Sequence, residues 1–174
     1  MSNIILIGPI GTGKSTLADI ISTKLSYPRC CVDDVRWDYY QKLGYSKEKE
    51  QALRAISFEE VYKYWKPFEA QTIIQILKDY QNHIIDFGGG HSVYEDEQLF
   101  SEVANAMLHE SNVFLILPSE NKEESLRILD EREKIAINAH FIEHKSNYEL
   151  AKHIIYTKGK TPLETAEEII QLIK

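Results

Sequence analysis

Residues 8 to 15 read Gly8-Pro9-Ile10-Gly11-Thr12-Gly13-Lys14-Ser15, which fits the pattern G-x-x-x-x-G-K-[ST]. These types at this spacing carry a chemistry. Glycines let the backbone bend around a phosphate chain and aim N–H groups at it. The lysine reaches the outer phosphates, and the serine hydroxyl ligates Mg²⁺. Gly8, Gly11, Thr12, Gly13, Lys14, Ser15 and Thr16 are the expected nucleotide-binding residues. Their flanks agree. Ile4-Ile5-Leu6-Ile7 is a short, apolar, β-branched run, as expected of a buried parallel strand. Leu17, Ala18, Ile20, Ile21 and Leu25 then recur at helical spacing, so a helix N-terminus points at the anion.

Four more short apolar runs follow: Cys30 to Val32, Ile84 to Phe87, Val113 to Leu117 and Ile154 to Tyr156. Longer segments with helical periodicity separate them. This alternation predicts an α/β fold, a parallel sheet with helices on both faces. Ligands of such sheets bind beyond the carboxyl ends of the strands, so the residues just after each run are the candidates for chemistry.

After the second run come Asp33 and Asp34. A carboxylate there orients and deprotonates an acceptor hydroxyl or holds Mg²⁺ through water; the alternative is a helix N-cap. In a strand these neighbours point to opposite sides, so only one faces the phosphates unless the strand has ended. The third run leads into Asp86-Phe87-Gly88-Gly89-Gly90-His91. Asp86 stands where an acid backs Mg²⁺, giving Ser15, Asp33 and Asp86 as the metal candidates. The triplet offers N–H groups and close approach to a substrate, or is a plain strand-to-helix turn. His91 reads as a pocket-edge or turn residue. Past the fourth run, Arg127 and Arg132 lie on a helix predicted over Lys122 to Lys134. They either stabilise charge on a transferring phosphoryl group or pair with neighbouring acids such as Glu131.

The elements that position these groups are legible too. The stretch from Asp34 to Tyr80 is mostly helical, and nine of the chain's eighteen aromatics fall between Trp37 and Phe68 within it, among them Trp37, Tyr40, Phe58, Tyr62 and Trp65. The rings line an acceptor pocket or form the core of a thin helical layer; spacing alone does not choose. At the carboxyl end, Thr161-Pro162-Leu163-Glu164 reads as a capping box that starts a last helix, with Ile169, Ile170, Leu172 and Ile173 towards the core.

With 174 residues and no composition break, a single domain over residues 1–174 is expected. The net charge of −7, with both signs interspersed, argues against nucleic acid or an anionic membrane as main partner. No apolar stretch reaches membrane-spanning length, the amino terminus lacks the form of a signal peptide, and a cytoplasmic location is expected. Cys30 and Cys31, being adjacent, give neither a disulfide framework nor metal-ligand spacing.

Taken together, the residues resemble the small P-loop kinases typified by shikimate kinase, with nucleoside monophosphate kinases as wider relatives. The likeness covers nearly the whole chain: the loop Gly8 to Ser15, the acidic end of strand two, the triplet Gly88 to Gly90, the run Val113 to Pro118, the arginine-bearing helix and the final strand and helix. It implies a three-layer P-loop fold with a five-stranded parallel sheet, an acceptor-binding helical region at 34–80 and a lid at 133–146. The family's D-x-D-x-x-I-E falls on Val32 to Asp38, so Asp34 takes the substrate-binding acid, and R-x-x-E falls on Lys66 to Glu69. Asp34, Lys66, Glu69, Gly88, Gly89 and Gly90 are thus the expected acceptor residues, with Lys14, Asp33, Asp34, Arg127 and Arg132 as the catalytic set. The chain also departs from the pattern. Lys66 replaces an arginine, and no arginine follows Arg132, where the family has lid and acceptor-clamping ones. These departures predict an acceptor other than shikimate on the same scaffold.

The expected activity is ATP-dependent, Mg²⁺-assisted phosphoryl transfer to a hydroxyl of a small molecule. Two alternatives stay open, a nucleoside or nucleotide kinase with a base against Trp37, Tyr40 or Trp65, and a non-catalytic nucleotide-binding regulator. A GTP switch fits poorly: Asp86 to Gly89 matches D-x-x-G, but Asn121 to Glu124 lacks the last acid of N-K-x-D.

Overall fold

In the computed structural model, which describes residues 2–174, β1 (Ile4–Ile7) occupies the centre of a five-stranded parallel sheet. The strand order is β2-β3-β1-β4-β5, with β2 at Arg29–Cys31, β3 at Ile84–Asp86, β4 at Asn112–Leu117 and β5 at His153–Tyr156. The chain builds one side of β1 first and then crosses to the other, so the β1 loop lies where the strand order reverses. Period-two alternation divides the core into two layers. Ile4 and Leu6 pack on α1 (Lys14–Leu25) and α9 (Pro162–Leu172). Ile5 and Ile7 pack on the opposite face against Ala70, Ile73 and Ile76 of α4 (Phe58–Asp79) and Val103 of α5 (Glu97–Ala106).

Local sequence explains most boundaries. Gly13, at φ 91°, opens α1 in a left-handed conformation that only glycine adopts freely. Ser57 and Asp96 cap α4 and α5 by accepting backbone N–H bonds from Glu60 and from Gln98 and Leu99. Asn121 accepts the Glu124 N–H at 2.8 Å and so caps α6 (Lys122–Arg132), which accounts for the residue that resembled part of a guanine-reading motif. At α9, Thr161 and Glu164 form the capping box with Pro162 in the first turn. Ile169 is buried there, whereas Leu172 is exposed, contrary to expectation.

One boundary matters for the site. The second apolar run ends a residue early, at Cys31, and Val32 starts α2 (Val32–Lys42). Asp33 and Asp34 therefore sit in the first turn of a helix, where their charge complements the dipole. Neither is the N-cap, a position Cys31 takes. The helical stretch is completed by α3 (Lys47–Arg54), and the region expected as a lid contains α7 (Asn138–Glu143) and runs into α8 (Lys145–Leu150). Among the described residues no helix is long and apolar enough to cross a membrane.

Candidate active site

The loop after β1, the first turn of α2 and the loop after β3 open onto one cavity of about 680 Å³. Lys14, Ser15, Asp33, Arg36, Glu69, Gly88 to Gly90 and His91 line it, with Phe58, Tyr62, Trp65 and Phe141 as an aromatic wall. Gly8 is required at its own position: a side chain there would meet the Ile116 carbonyl at 2.5 Å, and its φ is 135°.

Lys14 is buried, and its ammonium donates to the carbonyls of Gly8 and Pro9 at 2.8 and 2.7 Å. Burial lowers its pKa to about 8, against the pull of Asp33 and Asp86. A buried cation bonded only to neutral carbonyls is a group that an anionic phosphate would satisfy better. Beside it, Ser15 donates its hydroxyl to Asp86 at 3.0 Å. Both oxygens of Asp86 also receive Arg29, at 2.8 and 2.9 Å. Arg29 thus neutralises Asp86, and Asp33, whose only ion-pair contact among the described residues is Arg36 at 3.4 Å, is the freer carboxylate. Serine hydroxyl and carboxylate oxygens are the hard donors that Mg²⁺ takes.

The helical start of α2 decides between the two adjacent acids. Asp33 faces the cavity, and Arg36, one turn later, faces it as well. Asp34 is exposed and lies outside its lining. Lys66 and Glu69 form a buried pair at 2.5 Å, and Lys66 also donates to the Gly90 carbonyl at 2.8 Å. The lysine matched to the family's arginine therefore braces the glycine triplet from below. A side chain on Gly88 would approach Asp33 Oδ1 at 2.5 Å and His91 Nδ1 at 2.6 Å, so this glycine keeps the gap between them open.

The two arginines of α6 part company. Arg132 donates to the Gly11 carbonyl at 2.8 Å and borders a second cavity of about 250 Å³ with Thr12, Gly13, Thr16, Lys160 and Pro162. Arg127 pairs with Glu131 at 2.9 Å on the exposed face of its helix, away from both cavities. The aromatic segment also divides. Tyr40, Tyr45, Tyr64 and Phe68 pack ring to ring as a local core, at centroid distances of 5.1 to 5.7 Å. Phe58, Tyr62 and Trp65 face the cavity instead.

Two residues of this site, Arg36 and Asn138, were not read from the sequence, and His91, read there as a pocket-edge or turn residue, lines the cavity. Arg36 presents a buried Nε without a hydrogen-bond partner among the described residues; its spacing from Asp33 becomes a signal only once α2 is known to start at Val32. His91 is buried, its Nδ1 has no hydrogen-bond partner among the described residues, and burial pushes its pKa below the usual imidazole range. Asn138 clasps the phosphate loop, accepting the Ile10 N–H at 2.9 Å and donating to the Ile10 carbonyl at 3.0 Å. No sequence signal marks it.

The family model described as shikimate kinase matches residues 10–174. A shikimate kinase of Flavobacterium johnsoniae is 24% identical, with 99% of each chain covered. One of Persephonella marina is 27% identical with both chains covered in full. Among solved structures, the shikimate kinase of Acinetobacter baumannii in complex with shikimate superposes with a TM-score of 0.67 at 16% identity, covering 99% of this chain and 92% of that one. At that identity the superposition speaks for the fold.

Proposed function

The chain belongs to the shikimate kinase family and catalyses ATP-dependent phosphoryl transfer to a hydroxyl of a small molecule, and we propose that its acceptor is a hydroxylated ring acid seated between Asp33, Arg36 and Gly88 to Gly90. Shikimate is the member of that class carried by the relatives' names. The observation that carries this reading is the convergence on one cavity of the phosphate loop, a carboxylate free to take a proton and a guanidinium with an unpartnered Nε.

In this reading, Asp33 accepts the proton of the acceptor hydroxyl while the acceptor's oxygen bonds to the γ-phosphorus and the bond from that phosphorus to the β-phosphate oxygen breaks, releasing ADP. Lys14 exchanges its two carbonyl partners for phosphate oxygens, and the loop N–H groups hold the remaining charge. Arg36 pairs with the acceptor's anionic group. Ser15, with Asp86 or Asp33, would hold Mg²⁺, which neutralises phosphate charge. The cavity beside Arg132, Lys160 and Pro162 suits the nucleoside end of ATP.

A second reading, an acceptor other than shikimate, is favoured by a specific observation. Arg36 is the one guanidinium lining the cavity among the described residues, and Phe58, Tyr62 and Trp65 give it an aromatic wall suited to a base or another flat ring. Comparing kcat/KM for shikimate, other hydroxylated ring acids and nucleosides, with the phosphorylated product identified by mass, tests the choice. A nucleoside as best substrate overturns the first reading, and shikimate as best substrate overturns the second.

A further inference from the structure

Away from the phosphate loop, one ring nitrogen each of His140 and His144 and a carboxylate oxygen of Glu95 lie within 4.8 Å of one another. We propose that these three side chains form a binding site for a divalent transition-metal ion of the Zn²⁺ class, which ties α7 to the segment following the glycine triplet.

The histidines stand four residues apart, and the His144 N–H still donates to the His140 carbonyl at 2.9 Å, so helical spacing holds and both rings leave on one side. Their centroids are 5.1 Å apart. Glu95 comes from a segment 45 residues earlier in the chain, just before Asp96 caps α5. It is already oriented: Tyr62 donates to Oε1 at 3.0 Å, and His140 Nε2 lies 2.5 Å from the same oxygen. Ligating carboxylates are commonly held by such outer hydrogen bonds.

Tetrahedral Zn²⁺ with bonds of about 2.0–2.2 Å sets its ligand atoms roughly 3.3–3.6 Å apart, inside the 4.8 Å within which these three atoms lie. Two imidazoles and one carboxylate favour Zn²⁺, Co²⁺ or Ni²⁺ over Mg²⁺, which takes oxygen, and leave a fourth position for water. His144 Nδ1 now accepts the Ser146 N–H at 3.2 Å. A metal on its Nε2 moves the ring proton to Nδ1 and releases that capping bond, and a metal on Nδ1 displaces it directly. Either way the start of α8 loosens as the ion binds.

The site bears on the cavity. Phe141 of α7 and Ile137 just before it line that space, as does Tyr62, which holds Glu95. An ion at this cluster therefore fixes one wall of the acceptor site.

The full chain, freed of metal and without nucleotide, is titrated with Co²⁺ by visible absorption and with Zn²⁺ by calorimetry. One equivalent at micromolar affinity, with the intense bands of four-coordinate cobalt, is expected. His140→Ala and Glu95→Gln should each weaken binding about tenfold or more, while His109→Ala, at an exposed histidine outside the cluster, leaves it unchanged. Thermal unfolding of each variant checks that it is folded. Binding that is only millimolar, or that persists at full strength in folded His140→Ala, overturns the proposal.

Discussion

Ser15 donates its hydroxyl to Asp86 at 3.0 Å, joining the end of the phosphate loop to the end of β3. Arg29 holds the same carboxylate with two nitrogens, so Asp86 serves first as a fixed acceptor that aims the serine. Asp86→Asn leaves a guanidinium without its buried partner. Because Arg29 is partly exposed and keeps Asp19, the expected loss of stability is about 2–3 kcal/mol, below the range for a fully buried pair. Urea unfolding measures it. The Mg²⁺ concentration giving half-maximal rate should rise in the same variant.

Lys14 links stability and nucleotide affinity to pH. Its folded pKa of about 8 lies below the ordinary 10.5. Between those values the unfolded chain binds more protons than the folded one, so this group's contribution to stability rises with pH across that window, by up to about 3 kcal/mol. ATP affinity follows the opposite course. Above pH 8 the free enzyme loses the charge that the phosphates need, and the apparent Kd should rise up to about tenfold per pH unit. Calorimetric titrations from pH 7 to 9.5 show whether it does; a flat profile counts against the assignment.

The chain showed its phosphate loop because that site is built from consecutive residues, and the sheet because five apolar runs stand apart from helical periodicity. What it hid turned on one residue of register. Reading Val32 as strand left Asp33 and Asp34 on opposite faces with no way to choose. With Val32 as the first residue of α2, Asp33 and Arg36 share a face towards the cavity and Asp34 does not. Asn138 was beyond reach for another reason: its role comes from contacts with Ile10, which leave no local pattern; His91 was legible as a pocket-edge or turn residue but not as a buried one. For Arg127 the sequence left two roles open, because helical position alone does not say which way a side chain faces; in the structure it pairs with Glu131.

Arg36→Met tests the anion-binding role. If Arg36 holds the acceptor as proposed, KM for an anionic acceptor should rise about tenfold or more, while the Kd for ATP stays within about twofold. Equal effects on both ligands would assign Arg36 to the nucleotide instead.

Lys66 and Glu69 form a buried pair under the triplet. Lys66→Met should destabilise the fold by about 3–5 kcal/mol, because Glu69 is left as an uncompensated buried charge. The double change Lys66→Met with Glu69→Leu should recover most of that loss, as read from denaturant midpoints.

Gly88→Ala places a methyl group between Asp33 and His91, at 2.5 and 2.6 Å. The expected outcome is a folded protein that binds ATP normally and turns over at least about tenfold more slowly, since the carboxylate is displaced from the acceptor hydroxyl. Stopped-flow and steady-state rates together separate this from a binding defect.

The most direct measurement is acceptor-dependent ADP release from MgATP by the intact chain and by Asp33→Asn. The account predicts that an acceptor accelerates release in the intact chain, and that the substitution lowers the accelerated rate by about 100-fold or more while calorimetry finds ATP bound as before. An accelerated rate undiminished in Asp33→Asn would contradict it.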